Sequence, residues 1–207
     1  MKQNTNKLYR GIPVVLSAPS GGGKSTIADA VLKAHPQAVR SVSYTTRPKR
    51  PGEKQGKDYF FTDARTFKKK VKQNHFLEWA RVHEHFYGTP LKELLSNLKK
   101  GKDVLLVIDP QGAMRVRKAF PKGLYIFILP PTWKALKSRL NRRGTDDRKT
   151  MSLRLKNARK ELKTLKRYNY FVVNDRLDRA VKDVVAIIRC AHLHLTRLNK
   201  KAIPILN

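Results

Sequence analysis

Cysteine is all but missing from this sequence. Cys190 stands alone, so no disulfide can close within the chain, and neither a Cys-x-x-Cys pair nor the ligand set of a structural zinc site is present. Long apolar runs are absent too: the first spans only residues 12–16, and nothing later approaches the ~20 apolar residues of a membrane-crossing helix. The polar start, MKQNTNKLYRG, has no apolar leader core. A soluble, unexported protein of a reducing cytoplasm, with no membrane partner, is expected. Acidic residues are scarce, with 15 Asp and Glu against 46 Lys and Arg, for a formal net charge of +31. Such a field attracts polyanions. The cations are scattered from Lys2 to Lys201 instead of gathered in a tail or stripe. That favours a basic solvated surface and permits nonspecific nucleic-acid binding without marking a dedicated face.

What is present is enough for one core: 207 residues, 40% of them hydrophobic. A β-rich run at 12–17 stops at a proline and a glycine cluster, and KSTIADAVLKAH then spaces Ile27, Ala30, Val31 and Ala34 as on a helix face. Unalternated apolar runs at 103–109 and 124–129 suit parallel strands covered on both faces, and YFVVN at 170–174 is a fourth strand. Helical patterns fall at 90–99, 111–120, 133–142 and 150–166. Strand and helix alternate, which predicts a parallel α/β sheet. From Leu177 through Val181, Val184, Ile188, Ala191 and Leu195 to Leu198, spacings of three and four describe one long amphipathic helix, either packed on the sheet or forming a dimer seam. Residues 40–90 break this rhythm with short alternating runs, a Pro/Gly-rich turn at 48–56 and a helix at 64–73 capped by Asp63; they read as an inserted subdomain.

LSAPSGGGKST, residues 16–26, has Ala18 where the Walker A pattern GxxxxGK[ST] places its first glycine. In such a loop the backbone N–H groups point at phosphate oxygens, the lysine reaches the terminal phosphates and the hydroxyl ligates Mg²⁺. Gly21, Gly22, Gly23, Lys24 and Ser25 supply those parts, with Ala18, Pro19, Ser20 and Thr26 completing the nucleotide loop. Asp109, after VLLVI, is the candidate for holding Mg²⁺ through water, and as a lone Asp it also reads as a helix cap. The loop alone does not separate ATPases, GTPases and small-molecule kinases.

The acceptor signal lies in the insert. SVSYTTRPKRPGEKQGKDYFF at 41–61, followed by FLEWARV and FYGT, resembles the nucleotide-monophosphate-binding region of guanylate kinases. The resemblance continues through IDPQGA, IFILPP, RLNRRGTD and VVND, and so covers nearly the whole chain. This family commonly writes its loop APSGxGKS or GPSGxGKS, which makes Ala18 ordinary. The resemblance implies an α/β fold with a P-loop three-layer core and a parallel five-stranded sheet, from residues 1–39, 92–135 and 151–207, with a GMP-binding subdomain at 40–91 and a lid at 136–150. It implies that ATP and GMP are the substrates, with Mg²⁺ bridging the ATP phosphates, and that ADP and GDP are the products.

Residue by residue, the resemblance assigns Ser43, Arg47, Arg50 and Tyr59, with the Tyr87 hydroxyl, to the acceptor phosphate; guanidinium forks bind phosphate oxygens bidentately. It assigns Glu78 and Thr89 to the base. A carboxylate accepts from both N1–H and N2–H₂ of guanine, whereas adenine presents an acceptor at N1 and would leave a buried acid unpaired. Arg139, Arg143 and Arg154 match the arginines that close over the triphosphate, and with Lys24 they would neutralise the transferring group. Asn174 matches a residue that helps hold the ATP base, although a strand-end turn is the plainer reading of Asn174 and Asp175. One departure is Val107, where many family members carry an acid two positions before Asp109.

Two rival readings remain at this level: a binding module of the same fold that has lost catalysis, against which Lys24, Ser25 and Asp109 argue, and a related kinase for another phosphate ester, against which Glu78 and Thr89 argue. His83-x-His85 and His192-x-His194 have a spacing that can share a metal on a strand, but on a helix the second pair diverges. A monomer and a homodimer are both compatible with the sequence.

Overall fold

The computed structural model describes residues 11–82, 84–141 and 148–194. Expectations that concern 1–10, His83, 142–147 (Arg143 among them) and 195–207 (Leu195 and Leu198 among them) lie outside the described residues. In chain order the elements are β1 (Pro13–Ser17), α1 (Lys24–Ala34), β2 (Ala38–Arg40), β3 (Tyr44–Thr45), β4 (Phe60–Phe61), α2 (Ala64–Lys72), β5 (Phe76–Val82), β6 (His85–Pro90), α3 (Leu91–Lys99), β7 (Asp103–Val107), α4 (Pro110–Ala119), β8 (Leu124–Leu129), α5 (Trp133–Asn141), α6 (Arg148–Leu162), β9 (Tyr170–Val173) and α7 (Leu177–His192).

The unalternated apolar strands are explained by helices on both faces. β2, β7, β1, β8 and β9 form, in that order, a five-stranded sheet with every pairing parallel. On one face Val14, Leu16, Leu105, Ile126 and Ile128 pack with Ile27 and Val31 of α1 and Val184 and Ile188 of α7. On the other, Val15, Val104, Leu106 and Tyr125 pack with Leu94 of α3 and Ala113 and Val116 of α4. Successive side chains on a strand point to opposite faces, so each run feeds two cores. Within this sheet only β2 lacks a signature in the sequence: its three residues are too few to show a period, and its place is set by pairing Ala38 with Asp103.

At the N-terminal end of the strands, remote from the glycine loop, Asp103 draws four elements together. Its carboxylate accepts the Ile12 N–H at 2.9 Å, the His35 Nε2 at 2.8 Å and the His192 Nε2 at 2.9 Å. Burial by itself would raise this carboxyl, but the bonds from His192 and His35 outweigh it and hold it below the usual carboxylate range. His192 is thus a structural partner of Asp103. Asp103→Asn is expected to lower unfolding free energy at pH 7 by roughly 3 kcal/mol, read by urea denaturation. Because the folded pKa lies below the unfolded one, this contribution is complete above the unfolded value and disappears as pH falls through the folded value. The two proteins should therefore converge in strong acid, and a constant gap there would show that the charge contributes nothing.

The long C-terminal helix is shorter than its spacing predicts. α7 stops at His192, and the Leu193 N–H turns back to the carbonyls of Arg189 and Cys190. Leu177, the first residue of the predicted stripe, is 41% exposed because the helix begins there, before its apolar face meets the sheet. Ala180, Val181, Val184, Ile188 and Ala191 carry the stripe into the core. The helix expected at 150–166 likewise ends at Leu162 and is followed by a short 3₁₀ turn, Leu165–Arg167.

Between β2 and β7 the chain builds a second, four-stranded sheet in the order β4-β3-β6-β5, with β6 antiparallel to both neighbours. α2 closes one side, its Phe67 stacked on Phe76 and Phe86, and Asp63 caps it by accepting the Thr66 N–H at 2.8 Å.

Candidate active site

The glycine loop sits at the C-terminal end of β1 and opens α1, where the chain must reverse within a few residues. Gly23 has φ +90°, and a Cβ there would meet Asn174 Nδ2 at 2.5 Å, so both conformation and space require glycine. Ala18 needs no such freedom: among described non-glycine residues only Asn74 has positive φ, and the Ala18 methyl is buried in the core. The N-terminus of α1 has no side-chain cap and no acidic residue in its first turn, so its N–H groups and dipole suit an anion. Lys24 folds its Nζ onto the Ala18 carbonyl at 2.9 Å.

Two cavities meet at this loop and share Lys24, Tyr59 and Tyr87. The larger, about 350 Å³, is polar: residues 19–26 form one wall, and Arg40, Arg47, Arg50, Tyr59 and Tyr87 line the rest together with the acids Asp29, Glu53 and Asp58. Arg47 and Arg50 are organised by Glu53, whose carboxylate accepts the Arg47 Nη2 at 2.7 Å and the Arg50 backbone N–H at 2.8 Å. Arg47 also lies over the Tyr59 and Phe61 rings, and Arg40 pairs with Asp29 of α1 at 2.6 Å.

The smaller cavity, about 200 Å³, is walled by Ala80, Val82, Val107 and Ile108, with Glu78 and Asp109 as its acids; Ser43 lines this cavity, not the arginine-rich one. Antiparallel pairing sets Glu78 opposite Thr89, and the Thr89 hydroxyl donates to Glu78 Oε1 at 2.7 Å. Gly112 keeps the carboxylate's other side open, since a Cβ there would stand 3.2 Å from Glu78 Oε2. Burial pushes the Glu78 carboxyl up to about 7 against the opposing Thr89 bond, and Asp109 adds to the rise. Asp109 is the N-cap of α4, its Oδ1 accepting the Gly112 N–H at 2.8 Å. It therefore caps a helix and borders the Lys24 cavity as well.

A family decides what such a cleft is for. The guanylate kinase family model matches residues 10–191. The chain belongs to the guanylate kinase family. Guanylate kinases of Caldanaerobacter subterraneus subsp. tengcongensis and Coxiella burnetii are each 46% identical to it, over 86% and 90% of this chain and 87% and 91% of theirs. The guanylate kinase of Thermotoga maritima is 44% identical over 93% of each chain. The crystal structure of guanylate kinase from Anaplasma phagocytophilum superposes with a TM-score of 0.78 at 34% identity, covering 93% of each chain. Agreement along most of the length of named kinases favours an active GMP kinase over an inactive binding module or a kinase for a different ester.

Within this family member the remaining predicted residues fall in two places. Arg139, from α5, donates its Nη2 to the Asn174 carbonyl at 2.7 Å, and Asn174 donates its Nδ2 to the Gly22 carbonyl at 3.1 Å. The end of β9 thus steadies the glycine loop directly. Arg154, on α6, lines a third cavity of about 400 Å³ with Ser20, Asp109 and Gln111, and Arg143 lies outside the described residues. Three further residues that no motif marks belong to the site: Glu53, Arg40 and Glu161, whose Oε2 accepts the Ser20 N–H at 3.0 Å. The only trace available was that Arg154 and Glu161 lie seven residues apart, on one face of a helix.

Among the described residues no helix is long and apolar enough to cross a membrane.

Proposed function

We propose that this chain transfers the γ-phosphoryl group of ATP to GMP, producing ADP and GDP in the cytoplasm, with the glycine loop holding the ATP phosphates and the second sheet holding GMP. The carrying observation is a buried Glu78–Thr89 pair that borders one of the two cavities meeting at Lys24 while Arg47 and Arg50 line the other, with Tyr59 and Tyr87 shared between them. A guanine seated against Glu78 places its phosphate toward the arginines and the loop. Ser43 then stands beside the nucleoside portion of GMP, because it shares the Glu78 cavity.

The attacking atom is a phosphate oxygen already ionised at neutral pH, so no general base is required; positioning and charge neutralisation carry the reaction. Lys24, Arg139 and Arg154, with Arg143, supply positive charge around the transferring group. The Ser25 hydroxyl and the Asp109 carboxylate are hard oxygen donors of the kind Mg²⁺ takes alongside nucleotide phosphates. When bound, the ion would screen the phosphate charge.

A panel of GMP, AMP, CMP and UMP with ATP and Mg²⁺ tests the reading through ADP release. GMP is expected to exceed each of the others by at least ~10⁴ in kcat/KM, as for a site whose buried polar group is unpaired with the wrong base. Comparable use of AMP or a pyrimidine nucleotide would overturn it.

A further inference from the structure

The glycine loop is held on two sides. Asn174 takes the Gly22 carbonyl, and from the other direction Glu161, at the end of α6, accepts the Ser20 N–H across a separation of 141 residues. Nothing in the loop pattern accounts for the second contact. Its acceptor is a carboxylate, and an N–H bonded to an ionised acceptor is roughly twice as strong as a neutral pair. Placing that charge beside a triphosphate loop costs repulsion, which the four cations Arg81, Arg154, Lys160 and Arg167 offset in a cavity whose only other acid is Asp109. Arg154 lies two turns earlier on α6, on the same face as Glu161.

We propose that Glu161 is a positioning residue for the ATP phosphates: its bond to the Ser20 N–H fixes the glycine loop against α6, so that the loop and Arg154 meet the triphosphate as one unit. The inference rests on the proposed role of the loop in holding ATP.

Amide exchange at Ser20 reads the tie directly. In the unliganded protein this N–H is expected to be protected. Exchange should speed up about tenfold or more in Glu161→Ala, the loss of one hydrogen bond. Glu161→Gln, which keeps an acceptor oxygen but not its charge, should fall between the alanine variant and wild type. Equilibrium binding of ATP without GMP should weaken about tenfold in the alanine variant, recover in part in the glutamine variant, and leave GMP binding unchanged in both. An unprotected Ser20 amide in the wild type would overturn the proposal even if the alanine variant failed to fold. So would equal losses of ATP and GMP affinity, or a glutamine variant no better than alanine. A wild type that binds ATP and protects Ser20 but does not phosphorylate GMP would instead defeat the proposed function and leave the tie intact.

Discussion

Lys24→Ala is expected to lower kcat for ATP-to-GMP phosphoryl transfer by roughly 10³-fold, about 4 kcal/mol of transition-state stabilisation. Between Ala18 and Thr26 it is the only cationic side chain, and its ammonium already stands over the loop, 2.9 Å from the Ala18 carbonyl. Removing it leaves the N–H groups at the start of α1, so ATP binding should weaken much less than turnover falls. GMP affinity should hardly change, because Glu78, Thr89 and the arginines of the second sheet are untouched. Single-turnover rates with equilibrium binding of each nucleotide separate these effects. A variant within tenfold of wild-type kcat would place charge neutralisation elsewhere, with Arg139 and Arg154 as the next candidates.

For Glu78→Gln the loss should fall on substrate choice. A glutamine presents one acceptor and one donor where guanine offers two donors, so GMP kcat/KM should drop roughly 10²-fold and discrimination against AMP should largely vanish. The wild-type carboxyl, pushed up to about 7, is half protonated near neutrality in the empty cleft. It must ionise to accept both guanine donors, so GMP binding should release a proton and weaken progressively below pH 7. The second ionisation of the GMP phosphate, near pKa ~6, acts in the same range. The diagnostic is therefore the part of the pH dependence that wild type shows and the glutamine variant lacks. Stability follows the opposite course: an acid whose folded pKa exceeds its unfolded value loses stability as pH rises between the two. At pH 8 the glutamine variant should consequently unfold at higher denaturant than wild type, by up to about 3 kcal/mol for a shift of this size. Identical pH profiles for GMP binding in the two proteins would remove Glu78 from the base site.

The contact from Glu161 to Ser20 shows where reading along the chain stops. A helix places Arg154 and Glu161 on one face from spacing alone, but which loop that face meets depends on how α6 returns to the sheet. Glu53 was likewise indistinct in sequence, one of several charges in a Pro/Gly-rich turn, until folding of that turn brought it against Arg47 and Arg50.

By itself the sequence determined the glycine loop, the apolar strands, the helical stripes and the family's acceptor motif. Each is written in neighbouring residues whose period or spacing follows directly from backbone geometry. Only the tertiary structure decided the rest: the edge strand β2, placed by pairing with β7; the end of α7, where His192 meets Asp103; the inward-facing Ala18 methyl; and the Glu78–Thr89 bond, set by antiparallel register. These depend on contacts between residues distant in sequence, and they exist only once several elements have been brought together by burial of their apolar faces.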